Sequence, residues 1–382
     1  MIQCGIDRIE EFACLFRGKR LGMVTSAAAV TRDLRPGYLA FHEKYPLACI
    51  FTPEHGLFGT FGNGENVRED PVEPQTGAAV VSLFGDWQAK PVPPDWLSRL
   101  DTIVYDIQDL GTRFYTYITI MIRVMEDCAA AGVDFVILDR PALLGGDVVE
   151  GCLLQDAYRS FIGPYPLPIR YGLTVGELAA MVNAEQKLGC KLHVVPCAGW
   201  KRSQMFPEFG SDWVKPSGAI RDFETALLYP GMCLFEGTSL SEGRGTGQPF
   251  RLIGAPFLDG DLLSREMNSL NLPGVVFRPA AFCPTSSKYK DKLCQGVRVE
   301  ITDRTSYRSV RTGLWLLCTI LRLWPGQVEF RPCAFAPGPH IHFLCGSSDI
   351  RPECPDADAI WQRWEADCAA FQVRKQKYHI YQ

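Results

Sequence analysis

Short apolar runs alternate with amphipathic stretches through the first half of the chain. Leu21–Thr25, Leu47–Phe51, Ala78–Phe84, Thr102–Ile107, Phe135–Leu138 and Leu192–Val195 are rich in Val, Ile and Leu. Runs this short and this continuous are what strands buried on both faces of a parallel sheet look like. Between them the spacing predicts helices over Pro94–Leu100, Phe114–Ala131 and Thr174–Leu188. The last opens on a capping box, with Thr174 as N-cap and Glu177 three residues on. Strand–helix alternation at this spacing predicts an α/β fold with a doubly wound, mostly parallel sheet.

The pattern changes after Tyr229-Pro230-Gly231. Residues 229–260 are rich in Gly and Pro and carry little helical signal. Beyond them a helix is expected over Leu262–Leu270, strands over Val275–Arg278 and Val297–Thr302, and helices over Ser309–Leu323 and Ala357–Arg374. That mixture predicts a smaller α+β domain. The expected division is a sheet domain over 1–230 and an auxiliary domain over 231–382, with no internal repeat.

Composition narrows the function. A chain of 382 residues with 47% apolar and 21% charged residues folds into a core, and its length favours two domains. The formal net charge of −4 supplies no basic excess for nucleic acid. No apolar run reaches the ~18 residues of a membrane span. The longest, Phe114–Met125, is interrupted by Arg123. The 15 cysteines are scattered without any C-x-x-C, and Cys49, Cys128, Cys197, Cys233 and Cys318 sit in apolar segments, as small core residues do. With no basic or long apolar start at the N-terminus, the expected compartment is the cytoplasm, or an exported one if a signal peptide is missing from the given chain.

In an open α/β sheet, ligands sit beyond the C-terminal ends of the strands, and four polar segments could collect there. The second predicted strand ends in Pro53-Glu54-His55-Gly56 with a Gly-rich loop to Glu65. The fourth ends in Asp106-Ile-Gln108-Asp109-Leu-Gly111-Thr-Arg113-Phe-Tyr115-Thr-Tyr117. The fifth ends in Asp139-Arg140-Pro141, followed by Glu150-Gly151. A later segment carries Glu236, Glu242, Arg244 and Thr246. Each has a plainer role available. Asp106 and Asp109 would serve as caps near a helix N-terminus, and Arg113 and Arg140 would pair with them. Gly59, Gly62 and Gly64 lack the G-x-G-x-x-G spacing, and Gly243-Arg-Gly-Thr-Gly is not followed by Gly-Lys-Ser/Thr, so no nucleotide cofactor is expected. His340 and His342 would share one strand face, but no carboxylate cluster lies near them and no metal is expected. Neither H-E-x-x-H nor G-x-S-x-G occurs.

Taken together these segments resemble the NamZ-type exo-β-N-acetylmuramidases, long known as a domain of unknown function. The likeness rests on Pro53–Gly56, Asp106–Tyr117, Leu138–Pro141 with Gly145-Gly146 and Glu150-Gly151, Leu173–Ala179, Leu228–Gly231, Phe235–Ser241, Gly243–Thr246, Gly254–Pro256 and Arg374 to Tyr381. It runs over nearly the whole chain. It implies a Rossmann-like N-terminal domain, a C-terminal auxiliary domain with the active-site cleft between them, and release of N-acetylmuramic acid from non-reducing ends of peptidoglycan fragments, in bacterial cell-wall turnover or recycling. There are departures. Thr25-Ser26-Ala27 stands where the family usually has Thr-Asn with a following Gly, and Pro216-Ser217-Gly218-Ala219 stands in place of Pro-Ser-Pro-Asn. The missing amides bear on the sugar substituent more than on the reaction class.

Cleaving a glycosidic bond needs an acid for the leaving oxygen and a group to manage the developing cationic charge. Glu54 is the expected catalytic carboxylate, in the role of general acid, and His55 would orient it or bind a hydroxyl. Asp106 and Asp109 are the candidates for the second group; attack by the substrate's own N-acetyl group is the other route. The lactyl carboxylate of muramic acid calls for an arginine fork, and Arg113, Arg140 and Arg244 are the candidates. Tyr115 would stack on the sugar, and Glu65, Glu150, Glu236 and Thr246 would bind it. The substrate is then a small amino sugar or muropeptide. An amidase or esterase acting on cell-wall fragments, and a sugar-binding protein without chemistry, are the competing classes.

Overall fold

The first buried run becomes β1 (Leu21–Thr25). It is followed by β2 (Leu47–Thr52), β3 (Ala79–Ser82), the short β4 (Phe84–Gly85) and β5 (Gln88–Ala89), then β6 (Thr102–Asp106), β7 (Asp134–Leu138) and β8 (Leu192–Val195) in a computed structural model that describes residues 2–62, 64–68, 70–353 and 356–382. Six of these strands form one parallel sheet in the order β3-β2-β1-β6-β7-β8. The order reverses between β1 and β6, where Thr25 lies opposite Asp106. That reversal is the switch point at which open α/β sheets bind ligands.

Helices α1 (Gly37–His42), α2 (Pro94–Leu97), α3 (Tyr117–Ala131) and α4 (Val175–Glu185) connect the strands. The capping box is present: Glu177 N donates to Thr174 Oγ1 at 3.2 Å and Thr174 N donates to Glu177 Oε2 at 3.1 Å. Helix α3 begins at Tyr117, three residues later than its apolar pattern suggests, and ends on Gly132 at φ +72°, where glycine is at ease. The run Ala78–Phe84 breaks at Leu83, whose N–H returns to Thr52 O at 2.8 Å. The hairpin β4–β5 then turns through Asp86 and Trp87, both at positive φ as a two-residue hairpin turn requires. Met23, Ile50, Val104, Val136 and Val195 of the sheet pack with Phe16, Phe41 and Tyr45 in one apolar core.

The other sheet is antiparallel, in the order β10-β11-β9, from β9 (Leu252–Ala255), β10 (Val275–Phe282) and β11 (Cys294–Ile301). Pro279 lies within β10, which is longer than expected; an edge strand tolerates a residue without an N–H. Around it stand α5 (Phe223–Met232), α6 (Gly260–Ser269), α7 (Ser309–Leu323), α8 (His340–Cys345) and α9 (Ala357–Gln376). Helix α5 runs through Tyr229-Pro230-Gly231, where the sequence suggested a break. His340 and His342 lie on α8 and not on a strand, and residues two apart on a helix do not share a face.

The chain forms two units that are not consecutive in sequence: 1–148 with 172–218 and 374–382, and 149–171 with 219–373. No helix among the described residues is long and apolar enough to cross a membrane.

Candidate active site

Strand β2 cannot continue past Thr52, because Pro53 has no N–H for the ladder. The chain turns there, and His55 and Gly56 both sit at φ +74°. For a non-glycine residue this is a strained conformation. The turn aims Glu54 inward, leaving it only 2% exposed. Both of its carboxyl oxygens are engaged: Oε1 accepts from Gly64 N at 2.8 Å, and Oε2 accepts from Thr116 Oγ1 at 2.6 Å. The Gly-rich loop thus delivers a backbone N–H to a carboxylate. Gly64 is at φ +71°, and a Cβ there would stand 2.0 Å from the Trp87 ring. His55 Nδ1 is 2.8 Å from Phe61 O. A carbonyl only accepts, so Nδ1 carries a hydrogen and donates it. Glu65 is exposed and closes its own loop, accepting from Gly62 N at 2.7 Å.

Next to Thr116 on the chain, Tyr115 and Tyr117 meet edge to face at 4.9 Å and both are buried. Tyr117 donates to Pro216 O at 2.8 Å. Burial pushes both phenols above their ordinary range; around Tyr117 the hydroxyls of Tyr115 and Ser26 and the charge of Glu54 also act, and around Tyr115 the hydroxyl of Ser217. Ser26, which departs from the expected pattern, and Ser217, which precedes the departures at Gly218 and Ala219, therefore sit beside the tyrosine pair. Asp109 is buried and accepts from Gly111 N at 2.6 Å in a tight turn; Arg113 is fully buried.

At the switch point Asp106 and Arg140 form a bidentate pair, Nε to Oδ1 at 2.6 Å and Nη2 to Oδ2 at 2.9 Å. Arg140 Nη1 donates to Val30 O at 2.9 Å, so all three nitrogens of the fork are engaged. Burial works against the Arg140 charge, but Asp106 outweighs it and the guanidinium holds its proton more tightly than usual. Beside this pair a cavity of about 80 Å³ opens between Val30, Gln108, Phe206 and Trp213.

The remaining candidates belong to the other unit. Glu236 accepts from Arg244 Nε at 2.9 Å and from Nη2 at 2.6 Å, and Glu242 pairs with Lys288 at 2.8 Å. Phe250 lies under the Arg244 guanidinium, 5.0 Å from ring centroid to Cζ. Burial would raise the Glu236 carboxyl, yet Arg244 holds it below its ordinary value. Thr246 caps its own turn, donating to Gly243 O at 2.6 Å. Glu150 is buried against Arg170 at 3.3 Å and accepts from Val310 N at the start of α7 at 3.2 Å. Its oxygens hold the fold.

The strand ends of the parallel sheet thus bring together Glu54, His55, Tyr115, Asp109 and the Asp106–Arg140 pair, with Glu54 in a two-donor clamp. The sequence marks neither residue as a donor to Glu54, although Gly64 lies in the Gly-rich loop and Thr116 in Asp106–Tyr117. Among the described residues, no group of three or more His, Cys, Asp or Glu side chains is placed to hold a metal ion.

Comparison with known proteins covers the whole chain. Residues 21–224 match the family described as "Exo-beta-N-acetylmuramidase NamZ, N-terminal" and residues 227–381 match its C-terminal counterpart. The chain is 38% identical to the "Peptidoglycan beta-N-acetylmuramidase NamZ" of Bacillus subtilis (strain 168), over 100% of this chain and 91% of that protein. Two crystal structures of DUF1343 family proteins from Bacteroides fragilis are similar. One superposes with a TM-score of 0.89 at 32% identity, the other with 0.77 at 27%; each match covers 100% of this chain and 99% of the other.

Proposed function

The chain belongs to the NamZ exo-beta-N-acetylmuramidase family, and from that premise we propose that it releases N-acetylmuramic acid from the non-reducing ends of peptidoglycan fragments, with Glu54 as its catalytic acid. The observation that carries the assignment is the Glu54 clamp. A carboxyl group withdrawn from water, on a strained turn beyond a strand end, is held by two donors from different loops. Such a site is organised to hold one carboxyl in one orientation, as transfer of a proton to a leaving oxygen requires.

Asp106 is neutralised by the full fork of Arg140, which suits it to bracing the switch point more than to managing charge on a sugar. We therefore assign the developing positive charge to Asp109, with the substrate's own N-acetyl group as the alternative. Of the three arginines considered for the lactyl carboxylate, Arg113 and Arg140 are sealed, whereas the Arg244 side chain keeps 26% exposure. Arg244 is our choice. The reducing cytoplasm is the proposed compartment, because Cys49, Cys128, Cys197, Cys233 and Cys318 are buried thiols packed as core residues.

The test is hydrolysis of a chromogenic N-acetylmuramide and of a muramic acid–glucosamine disaccharide, followed by mass analysis of the products. Wild-type protein should release free N-acetylmuramic acid. Glu54→Gln should lower release by about 1,000-fold while leaving the melting temperature nearly unchanged, and full activity in that variant would remove Glu54 from the role. Cleavage of an amide or ester in place of the glycosidic bond, or binding with no turnover, would overturn the reaction class.

A further inference from the structure

We infer that Thr116 is the positioning residue of Glu54, and that it fixes Oε2 as the oxygen that carries and delivers the catalytic proton; this rests on the reading of Glu54 as the acid. The argument begins with the two donors. Oε1 faces Gly64 N at 2.8 Å. A backbone N–H only donates, so Oε1 is an acceptor whether Glu54 is ionised or not. The proton of the acid form therefore resides on Oε2, which faces Thr116 Oγ1 at 2.6 Å. A hydroxyl, unlike an N–H, both donates and accepts. Thr116 accepts from Oε2–H until the glycosidic oxygen arrives; the proton then turns to that oxygen and the Thr116 hydroxyl reverses to donate to Oε2, so one side chain holds the carboxyl in place through both protonation states.

A second, independent observation shows that this hydroxyl is diverted from its usual task. Thr116 is the N-cap of α3, a position where a threonine ordinarily accepts from an amide of the first turn. Here no side-chain cap bond forms, and the residue has φ −67° and ψ −5° in place of the extended backbone of an N-cap. By contrast Thr174, the N-cap of α4, is extended and does accept from Glu177 N. The two helices of one unit thus use the same residue type differently. The one that gives up its cap is the one beside Glu54. Thr116 is itself only 8% exposed and Glu54 only 2%, so the bond lies between two buried side chains.

In the step this supports, the Oε2–H bond breaks and the proton passes to the glycosidic oxygen. The bond from that oxygen to the sugar breaks with its electron pair going to the oxygen. Glu54 is left as a carboxylate held by Gly64 and Thr116, and the positive charge stays on the sugar until an oxygen nucleophile captures it. Thr116 does not touch the substrate; it acts through Glu54.

The experiment compares Thr116→Val, which keeps the shape and removes the hydroxyl, with Thr116→Ser, which keeps the hydroxyl. On a chromogenic muramide, T116V should lose about 100-fold in kcat with little change in KM, as misplacing a reacting group does, and T116S should restore most of it. Because the hydroxyl does not cap α3, the loss of kcat should far exceed any change in melting temperature. T116A serves in the same comparison if T116V fails to fold. Wild-type kcat in T116V, or an equal loss in T116S, would overturn the inference. On an E54Q background T116V should remove nothing more from the residual rate; a further loss there would show that Thr116 acts other than through Glu54. Retained activity in E54Q alone would instead strike the assignment of the acid itself.

Discussion

Glycine is required at position 64 for two separate physical reasons. Its φ of +71° excludes most side chains, and a Cβ would stand 2.0 Å from the Trp87 ring, which itself sits at positive φ. The amide that clamps Glu54 is carried on that backbone. Gly64→Ala should therefore move the loop, withdraw the donor from Oε1 and lower both kcat and stability, the latter by about 1–3 kcal/mol as overpacking does. Gly62 is the control. It is two residues away with no positive φ, and its nearest neighbour to an added Cβ is the end of the exposed Glu65 side chain at 3.2 Å. Gly62→Ala should be nearly silent in melting temperature and turnover, and an equal effect of both variants would dissolve the argument from the clamp. Arg244 is tested by substrate choice. Arg244→Gln should slow cleavage of a muramide more than that of a glucosaminide lacking the lactyl group, and equal losses on the two would show that it serves only its ion pair with Glu236. Much of this site was legible. Pro53-Glu54-His55-Gly56 stood out as a polar segment at a strand end, where open α/β sheets bind ligands, and as one of the motifs that carry the resemblance. The donors were not legible, because which N–H and which hydroxyl close on Glu54 depends on loop geometry that no spacing encodes.

At the scale of elements, propensity was a sound guide except where two elements press on one another. The buried strands β1, β2, β6 and β7 lie where the apolar runs placed them, since a short Val/Ile/Leu run has one stable environment, and β8 does too, although at the sheet edge only its Val195 is fully buried. Helix α5 is the exception, and its cause is a close crossing. An added Cβ at Gly231 would stand 1.9 Å from Ser309 O, and one at Gly313 would stand 2.3 Å from Gly231 O, so α5 and α7 touch backbone to backbone. Ser309 Oγ bridges them, donating to Leu228 O and accepting from Gly231 N, each at 2.9 Å. In sequence, Pro230-Gly231 has the appearance of a helix terminator. In the fold, Gly231 is what lets a second helix approach, and the Ser309 hydroxyl serves backbone groups at the end of α5. Gly313→Ala should force the helices apart and cost about 1–3 kcal/mol, read as a fall in the denaturation midpoint. A midpoint unchanged from wild type would mean that the crossing relaxes without penalty. Activity need not change beyond the loss of folded protein, because neither glycine belongs to the Glu54 clamp.

Over the whole molecule, the chain passes between its two units four times, at 148/149, 171/172, 218/219 and 373/374. The change to Gly- and Pro-rich sequence after Tyr229 suggested one division because it reports local structure and not which later segment returns. The last return is held by charge. Asp139, fully buried at the end of β7, accepts from Tyr381 Oη at 2.6 Å, Thr174 Oγ1 at 2.7 Å, Gly176 N at 2.9 Å and Arg140 N at 3.0 Å. Burial raises its pKa from 3.8 to about 6 against the pull of those donors, with Tyr381 the first among them. An acid whose folded pKa lies above its unfolded value binds its proton more tightly when folded. Asp139 therefore lowers stability as pH rises from about 4 to about 6, by on the order of 3 kcal/mol, and its contribution is level above that range. Tyr381→Phe removes one donor that favours the ionised form, so it should push the folded pKa higher and deepen the loss only where Asp139 must ionise. The variant also strips Cys197 N of its acceptor, a cost that does not depend on pH. The expected signature is thus a melting-temperature gap between Y381F and wild type that is present at about pH 4 and wider at about pH 7.5. A gap of equal width at both values would mean that the Tyr381 hydroxyl holds the tail through Cys197 N alone and not through the Asp139 carboxylate.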